Sequence, residues 1–147
     1  MGTPLIIENE ISIKAPTGTV WELLTDPEMT KLYMYGCEVI CTWQPGAEML
    51  WKGSTDDRVY VKGNLVSLEP GKHLSYTVID PNGDFADIPE NYLTVTYDLS
   101  GDQNDTILRV TQGDYSKVEK GAERYKDSAE AGGWQSVLEK IKEIAEA

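Results

Sequence analysis

An α+β fold is predicted: a seven-stranded curved antiparallel sheet wrapped around a long C-terminal helix, with two short helices after the first strand. Two observations predict it. Between Gly36 and Gly113, apolar residues recur with a period of two and are separated by short turn sequences, the pattern of half-buried strands joined by hairpins. From Trp134 to the end, Trp134, Val137, Leu138, Ile141, Ile144 and Ala145 form an apolar stripe at helical spacing, opposite Glu139, Lys140, Lys142, Glu143 and Glu146. A sheet with one dry face buries it by curling around that helix.

The elements follow in order. Leu5–Ile13 alternates as a first strand with Leu5, Ile7, Ile11 and Ile13 on one face. Pro16 is placed to open a helix, and Pro27 divides the run Thr17–Met34 into two short ones, because an interior proline removes a hydrogen bond and clashes with the preceding turn. Asp26 is the natural N-cap of the second. Strands are expected at Cys37–Trp43, Glu48–Ser54, Val59–Leu68, Leu74–Ile79, Tyr92–Leu99 and Thr106–Gln112. Turn chemistry at Gln44–Gly46, Thr55–Asp57, Glu69–Lys72, Pro81–Asp84 and Ser100–Asp105 separates them. Links this short force antiparallel pairing; the longer Asp80–Asn91 link reads as a flap. Ser116 and Glu119 fit a capping box, so the helical region is expected to begin as early as Lys117, with Tyr125, Ala129 and Gly133 continuing the stripe backwards from Val137.

The 147 residues make one domain, spanning 1–147, and 40% of them are hydrophobic, enough for a real core. A formal charge of -12 argues against nucleic acid and against an anionic membrane surface. No apolar run is long enough to cross a membrane. The start shows neither a secretory pattern nor a myristoylation motif, Ile6 standing where Ser or Thr is needed. Cys37 and Cys41, four residues apart on a strand, are too far separated for a disulfide and are read as reduced thiols of a cytoplasmic protein. With His73 the only histidine, no metal set is expected and no cofactor is called for.

In that element order, the segments "ISIKAPTGTVWELLTDPEMTKLY", "WQPGAEMLWKG", "VKGNLVSLEPGKHLSYT", "TVTYDL" followed by "DTILRVTQ", and "GGWQSVLEKIK" resemble the START-like (SRPBCC) superfamily. Within it they resemble the branch named after the activator of the heat-shock-protein-90 ATPase. The likeness runs nearly end to end and implies a helix-grip fold with a cavity between sheet and C-terminal helix. It also implies lipid-like ligands, a place in the stress response, or a co-chaperone role. Relatives with the last role carry a separate amino-terminal domain beyond these residues, which places that reading second. The sequence departs after "KLYMYG", where relatives often carry a tryptophan and Tyr33 and Tyr35 stand instead.

Gly132 and Gly133 precede the tryptophan of the final helix, although each costs about 1 kcal/mol in a helix interior. Either the helix approaches the sheet closely there, or a missing side chain leaves an apolar gap that belongs to a ligand pocket; Gly132 also permits a bend. Chemistry in such a pocket is not indicated. His73 is assigned to an exposed turn, and the carboxylates Asp56/Asp57, Asp84/Asp87 and Asp102/Asp105 to solvated turns; Glu90 is noted only as an acid that burial would perturb. The amphipathic side chains are more informative. Met49 and Trp51 share a strand face, and together with Tyr33, Met34, Trp43, Tyr76, Tyr97, Tyr115, Gly133, Trp134 and Val137 they form the expected cavity lining, since small-molecule sites are concave, apolar and equipped with few polar handles. The expected function is non-enzymatic binding of a small apolar or amphipathic molecule by a monomer or homodimer. A protein-interaction module with a chaperone or other partner is the second reading, and a cyclase- or hydrolase-like enzyme the third.

Overall fold

Seven strands and four α-helices follow one another as β1 (Ile7–Ile13), α1 (Thr17–Thr25), α2 (Pro27–Tyr33), β2 (Cys37–Ile40), β3 (Glu48–Gly53), β4 (Val59–Glu69), β5 (His73–Val78), β6 (Leu93–Gly101), β7 (Thr106–Gly113), α3 (Gly121–Glu130) and α4 (Gln135–Glu146). The computed structural model describes residues 3–83 and 86–147; the Met1-Gly2 start and the turn carboxylate Asp84 lie outside the described residues.

The strands form one sheet in the order β1-β7-β6-β5-β4-β3-β2, and every adjacent pair is antiparallel. This is the helix-grip architecture. The sheet curls because β4 pairs with β3 through its first half and with β5 through its second. At the changeover sits Gly63, where a Cβ would lie 1.7 Å from the Thr77 carbonyl oxygen; only a glycine lets the strands come that close. Bulges between Trp51 and Lys52 and between Leu65 and Ser67 add local bends.

The alternation sends Leu93, Val95, Tyr97 and Leu99 inward along β6, and Leu108 and Val110 inward along β7. Val137, Leu138 and Ile141 meet them from α4. Pro27 divides the first helical run as its ring requires, and Asp26 caps α2, its carboxylate accepting from the Glu28 N–H at 2.9 Å. Pro16 is the N-cap of α1.

Three expectations are corrected. First, β2 stops at Ile40 rather than Trp43; Trp43 has a left-handed backbone (φ 62°) leading into the Gln44–Gly46 turn, so Cys41 is outside the strand. Second, Ser116 and Glu119 form no capping box. Asp114 caps a 3-10 turn at Tyr115–Lys117 instead, accepting from the Ser116 N–H, and the Glu119 N–H donates to Asn91. A Cβ at Gly121 would lie 1.5 Å from the Tyr115 carbonyl oxygen, which brings the chain into α3 only there. Third, the C-terminal helix is two helices, and the break resets the helical phase, leaving Ala129 exposed.

Candidate functional site: an aromatic cavity at the helix break

The break between α3 and α4 is built by the two glycines. The Gly132 N–H donates to the Ala129 carbonyl and the Gly133 N–H to the Ser128 carbonyl, the paired bonds of a Schellman motif. It requires a left-handed residue, and Gly132 supplies it (φ 93°). Gly133 is also left-handed (φ 60°), and a Cβ on it would lie 2.6 Å from Asn9 Oδ1 and 2.8 Å from Ile7 Cγ2. Its missing side chain therefore points at β1. Close helix–sheet approach is the reason for this glycine, and the alternative of an apolar gap in its place is corrected. Asn9 fastens the contact. Its Nδ2 donates to the Gly132 carbonyl at 3.3 Å and its Oδ1 accepts from the Trp134 N–H at 2.9 Å.

Held in this way, Trp134 roofs a cavity of about 600 Å³. The floor follows the sheet register: Tyr76, Val95 and Gln112 are successive cross-strand neighbours on β5, β6 and β7. Trp51 of β3 packs beside Tyr76, while Val137 and Ser128 line the helical side. Aromatic contacts link the lining to the core. Trp51 and Tyr76 have ring centroids 6.0 Å apart, Tyr76 and Tyr97 6.2 Å, and Tyr97 meets Trp134 edge-on at 5.8 Å. At the mouth stand Tyr35, 84% exposed on a left-handed backbone, and the β3–β4 turn with Asp56. Asp56 is held below the ordinary carboxylate range by the Tyr60 hydroxyl and then by the Arg58 N–H.

Of the predicted lining, Met34, Trp51, Tyr76, Gly133, Trp134 and Val137 border this cavity. Five others do not. Tyr33 turns into the core and donates to the Leu23 carbonyl at 2.7 Å. Met49 is buried one row away, Trp43 packs at the end of β2, Tyr97 lies beneath Tyr76 and Trp134, and Tyr115 stacks on Tyr125 in a second cluster. Burial pushes the phenols of Tyr33, Tyr76 and Tyr97 upward, so all stay protonated. The Tyr97 hydroxyl is buried without a well-formed hydrogen bond to the described residues; the neighbouring Tyr76 phenol gives it only a weak polar contact.

Sequence reasoning missed Gln112 and Asn9. Both occupy inward-facing positions of otherwise apolar alternations, and that interruption was the available signal. The Trp134 indole Nε1–H donates to Gln112 Oε1 at 2.9 Å.

His73 is not in a turn. It opens β5, with Nδ1 2.8 Å from Asp98 Oδ1 and Nε2 3.2 Å from Ser67 Oγ. The three side chains lie on adjacent strands of the convex face, opposite the cavity, where they join β4, β5 and β6. Glu90 is exposed on the 3-10 turn Pro89–Asn91. The described part of the expected flap is pinned, Asp87 pairing with Lys62 and with the Tyr92 hydroxyl. Cys37 and Cys41 are free thiols; burial and then Asp56 raise the pKa of Cys37, which borders the cavity in its protonated form. Among the described residues no cluster of three or more histidine, cysteine or carboxylate side chains is placed to hold a metal ion, and no helix is long and apolar enough to cross a membrane.

The family model for "Activator of Hsp90 ATPase homolog 1-like protein" matches residues 14–146. The chain belongs to this family. It is a START-like, SRPBCC-type member in both sequence and fold. It is 32% identical to a Cytophaga hutchinsonii protein of known solution structure, covering 98% of this chain and 95% of that one with a TM-score of 0.73. A Mesorhizobium loti crystal structure shares the fold at 21% identity, with 94% of each chain covered and a TM-score of 0.71. So does the Aha1 dimer from Colwellia psychrerythraea, at 17% identity, 96% of each chain and a TM-score of 0.69. A comparison with curated proteins finds no match.

Proposed function

We propose that this family member binds a small, uncharged, largely apolar molecule in the cavity between the sheet and the α3–α4 junction, without transforming it. The observation that carries this reading is the 600 Å³ cavity walled by Trp51, Tyr76, Val95, Trp134 and Val137. Its size falls within the range of about 300–1,000 Å³ found for small-molecule sites, and its apolar walls with few polar groups are their usual composition. None of the described lining residues is histidine, lysine or arginine. The Ser67–His73–Asp98 chain faces the other side of the sheet, and Asp56, the one carboxylate among the described lining residues, is engaged by the Tyr60 hydroxyl and the Arg58 N–H, which places catalysis behind binding.

Native mass spectrometry of the purified protein tests the reading. A bound small molecule, released on denaturation and absent from a Val95→Trp variant, is the expected result. An empty parent protein that takes up no hydrophobic dye would contradict it.

The family's name supports a second reading, an interaction with a chaperone ATPase. Stimulation of such an ATPase by the intact chain, undiminished in Val95→Trp, would favour that reading over ligand binding.

A further inference from the structure

We propose that Gln112, oriented by the Trp134 indole, presents a hydrogen-bond donor to the cavity and selects uncharged hydrophobic ligands that carry a carbonyl-type acceptor. The inference rests on the binding reading above and specifies its ligand class.

Gln112 lines the cavity at an inward position of β7, with apolar cross-strand neighbours Val95 and Ile7. An indole nitrogen can only donate. The 2.9 Å contact from Trp134 Nε1 therefore fixes which end of the Gln112 amide is oxygen and leaves the NH2 group on the other side. That group makes no hydrogen bond to any described residue. An amide donor in apolar surroundings is costly unless an acceptor meets it, so a ligand placing a carbonyl oxygen there is favoured over one that does not. The Trp134 backbone N–H in turn donates to Asn9 Oδ1, which holds the indole that orients Gln112.

Charge narrows the class further. Asp56 at the mouth is the one carboxylate among the described lining residues, and no cationic side chain lines the cavity to balance an anion. A ketone, amide or ester on a ring-sized apolar body fits; a free carboxylate does not.

The test uses the parent protein and Gln112→Met with three ligands of one shape: 2-acetylnaphthalene, 2-ethylnaphthalene and 2-naphthoate, titrated calorimetrically. Loss of one hydrogen bond predicts that the preference for the ketone over the hydrocarbon falls about five- to tenfold in Gln112→Met. 2-Naphthoate should bind the parent more weakly than the ketone. The infrared carbonyl stretch of the bound ketone reads the same bond without reference to the variant's stability. It should lie at lower frequency in the parent than in an apolar solvent. An unchanged preference, an unshifted carbonyl band or tight naphthoate binding overturns the inference while leaving the cavity a binding site. Failure of the parent to bind any of the three overturns both.

Discussion

Two stretches of the concave face can be compared strand by strand. Leu74, Tyr97 and Val110 are cross-strand neighbours on β5, β6 and β7, buried in the core and away from the cavity. Two residues further along the same strands, Tyr76, Val95 and Gln112 line a volume of about 600 Å³, with Trp51 of β3 beside Tyr76. The sheet is continuous through both rows. What differs is the cover. Leu138 and Ile141 of α4 are completely buried in the sealed core, whereas the neighbouring row lies below the point where the helix is broken by Gly132 and Gly133 and tied to β1 by Asn9. The glycine pair ends one helix and starts another against the sheet edge, and Gly133 and Trp134 border the cavity at that junction.

The largest expected effect is on the sealed side. Leu138→Ala should destabilise the fold by about 2–5 kcal/mol, the range for a large-to-small change in a closed core. Val137→Ala, next in sequence but facing the cavity, should cost about 1 kcal/mol, because it removes fewer atoms and opens no new closed void. Urea denaturation measures both, and equal losses would erase the distinction between the rows.

Next comes the break itself. Gly133→Ala combines a left-handed backbone with a Cβ placed 2.6 Å from Asn9 Oδ1 and 2.8 Å from Ile7 Cγ2, and should cost about 2 kcal/mol. Asn9→Ala, which frees the Gly132 carbonyl and the Trp134 N–H, should cost about 1–2 kcal/mol. By contrast, Val95→Phe places new atoms in open space and should change stability by less than about 1 kcal/mol, while abolishing uptake of a hydrophobic dye. A melting temperature that drops as far for Val95→Phe as for Gly133→Ala would mean that the cavity is not available.

The sheet, its antiparallel order and the two proline-divided helices were legible because period-two alternation and proline stereochemistry act locally. The cavity was legible only in part. Trp51 and Tyr76 lie on the expected faces, but so do Met49 and Tyr97, and nothing local distinguishes adjacent rows of one strand face; the distinction is made by the helix break more than 30 residues away in sequence. The capping box failed because Asp114, one turn earlier, competes for the same backbone and wins with bonds to the Leu5 N–H and to both the N–H and hydroxyl of Ser116. Asn9 and Gln112 show what was readable without a role being drawn from it: polar residues at inward positions, one fastening the helix break and the other engaging Trp134.

A smaller effect separates the anchored edges of the sheet from its aromatic centre. The Ser116 hydroxyl, then the Leu5 and Ser116 N–H groups, lower the pKa of Asp114 below its usual 3.8, and the Lys14 N–H followed by Lys142 lowers that of Glu146 below 4.5. Depressed folded-state values mean that both contributions are complete above the usual carboxylate range and are lost as pH falls through the folded values. Between about pH 6 and about pH 3 the urea midpoint should therefore decrease, and less steeply in Asp114→Asn. The buried phenols of Tyr33, Tyr76 and Tyr97 stay protonated throughout and contribute nothing to this slope.

The most direct test of an open row beside a sealed one is a two-dimensional NMR titration of the parent protein with 2-acetylnaphthalene, following the Trp51 and Trp134 indole N–H signals and the methyls of Val95, Val137, Leu108, Leu138 and Ile141. Saturable shifts confined to Trp51, Trp134, Val95 and Val137, with Leu108, Leu138 and Ile141 unmoved, are the predicted result. Shifts spread equally over both sets, or none at saturating ligand, would contradict it.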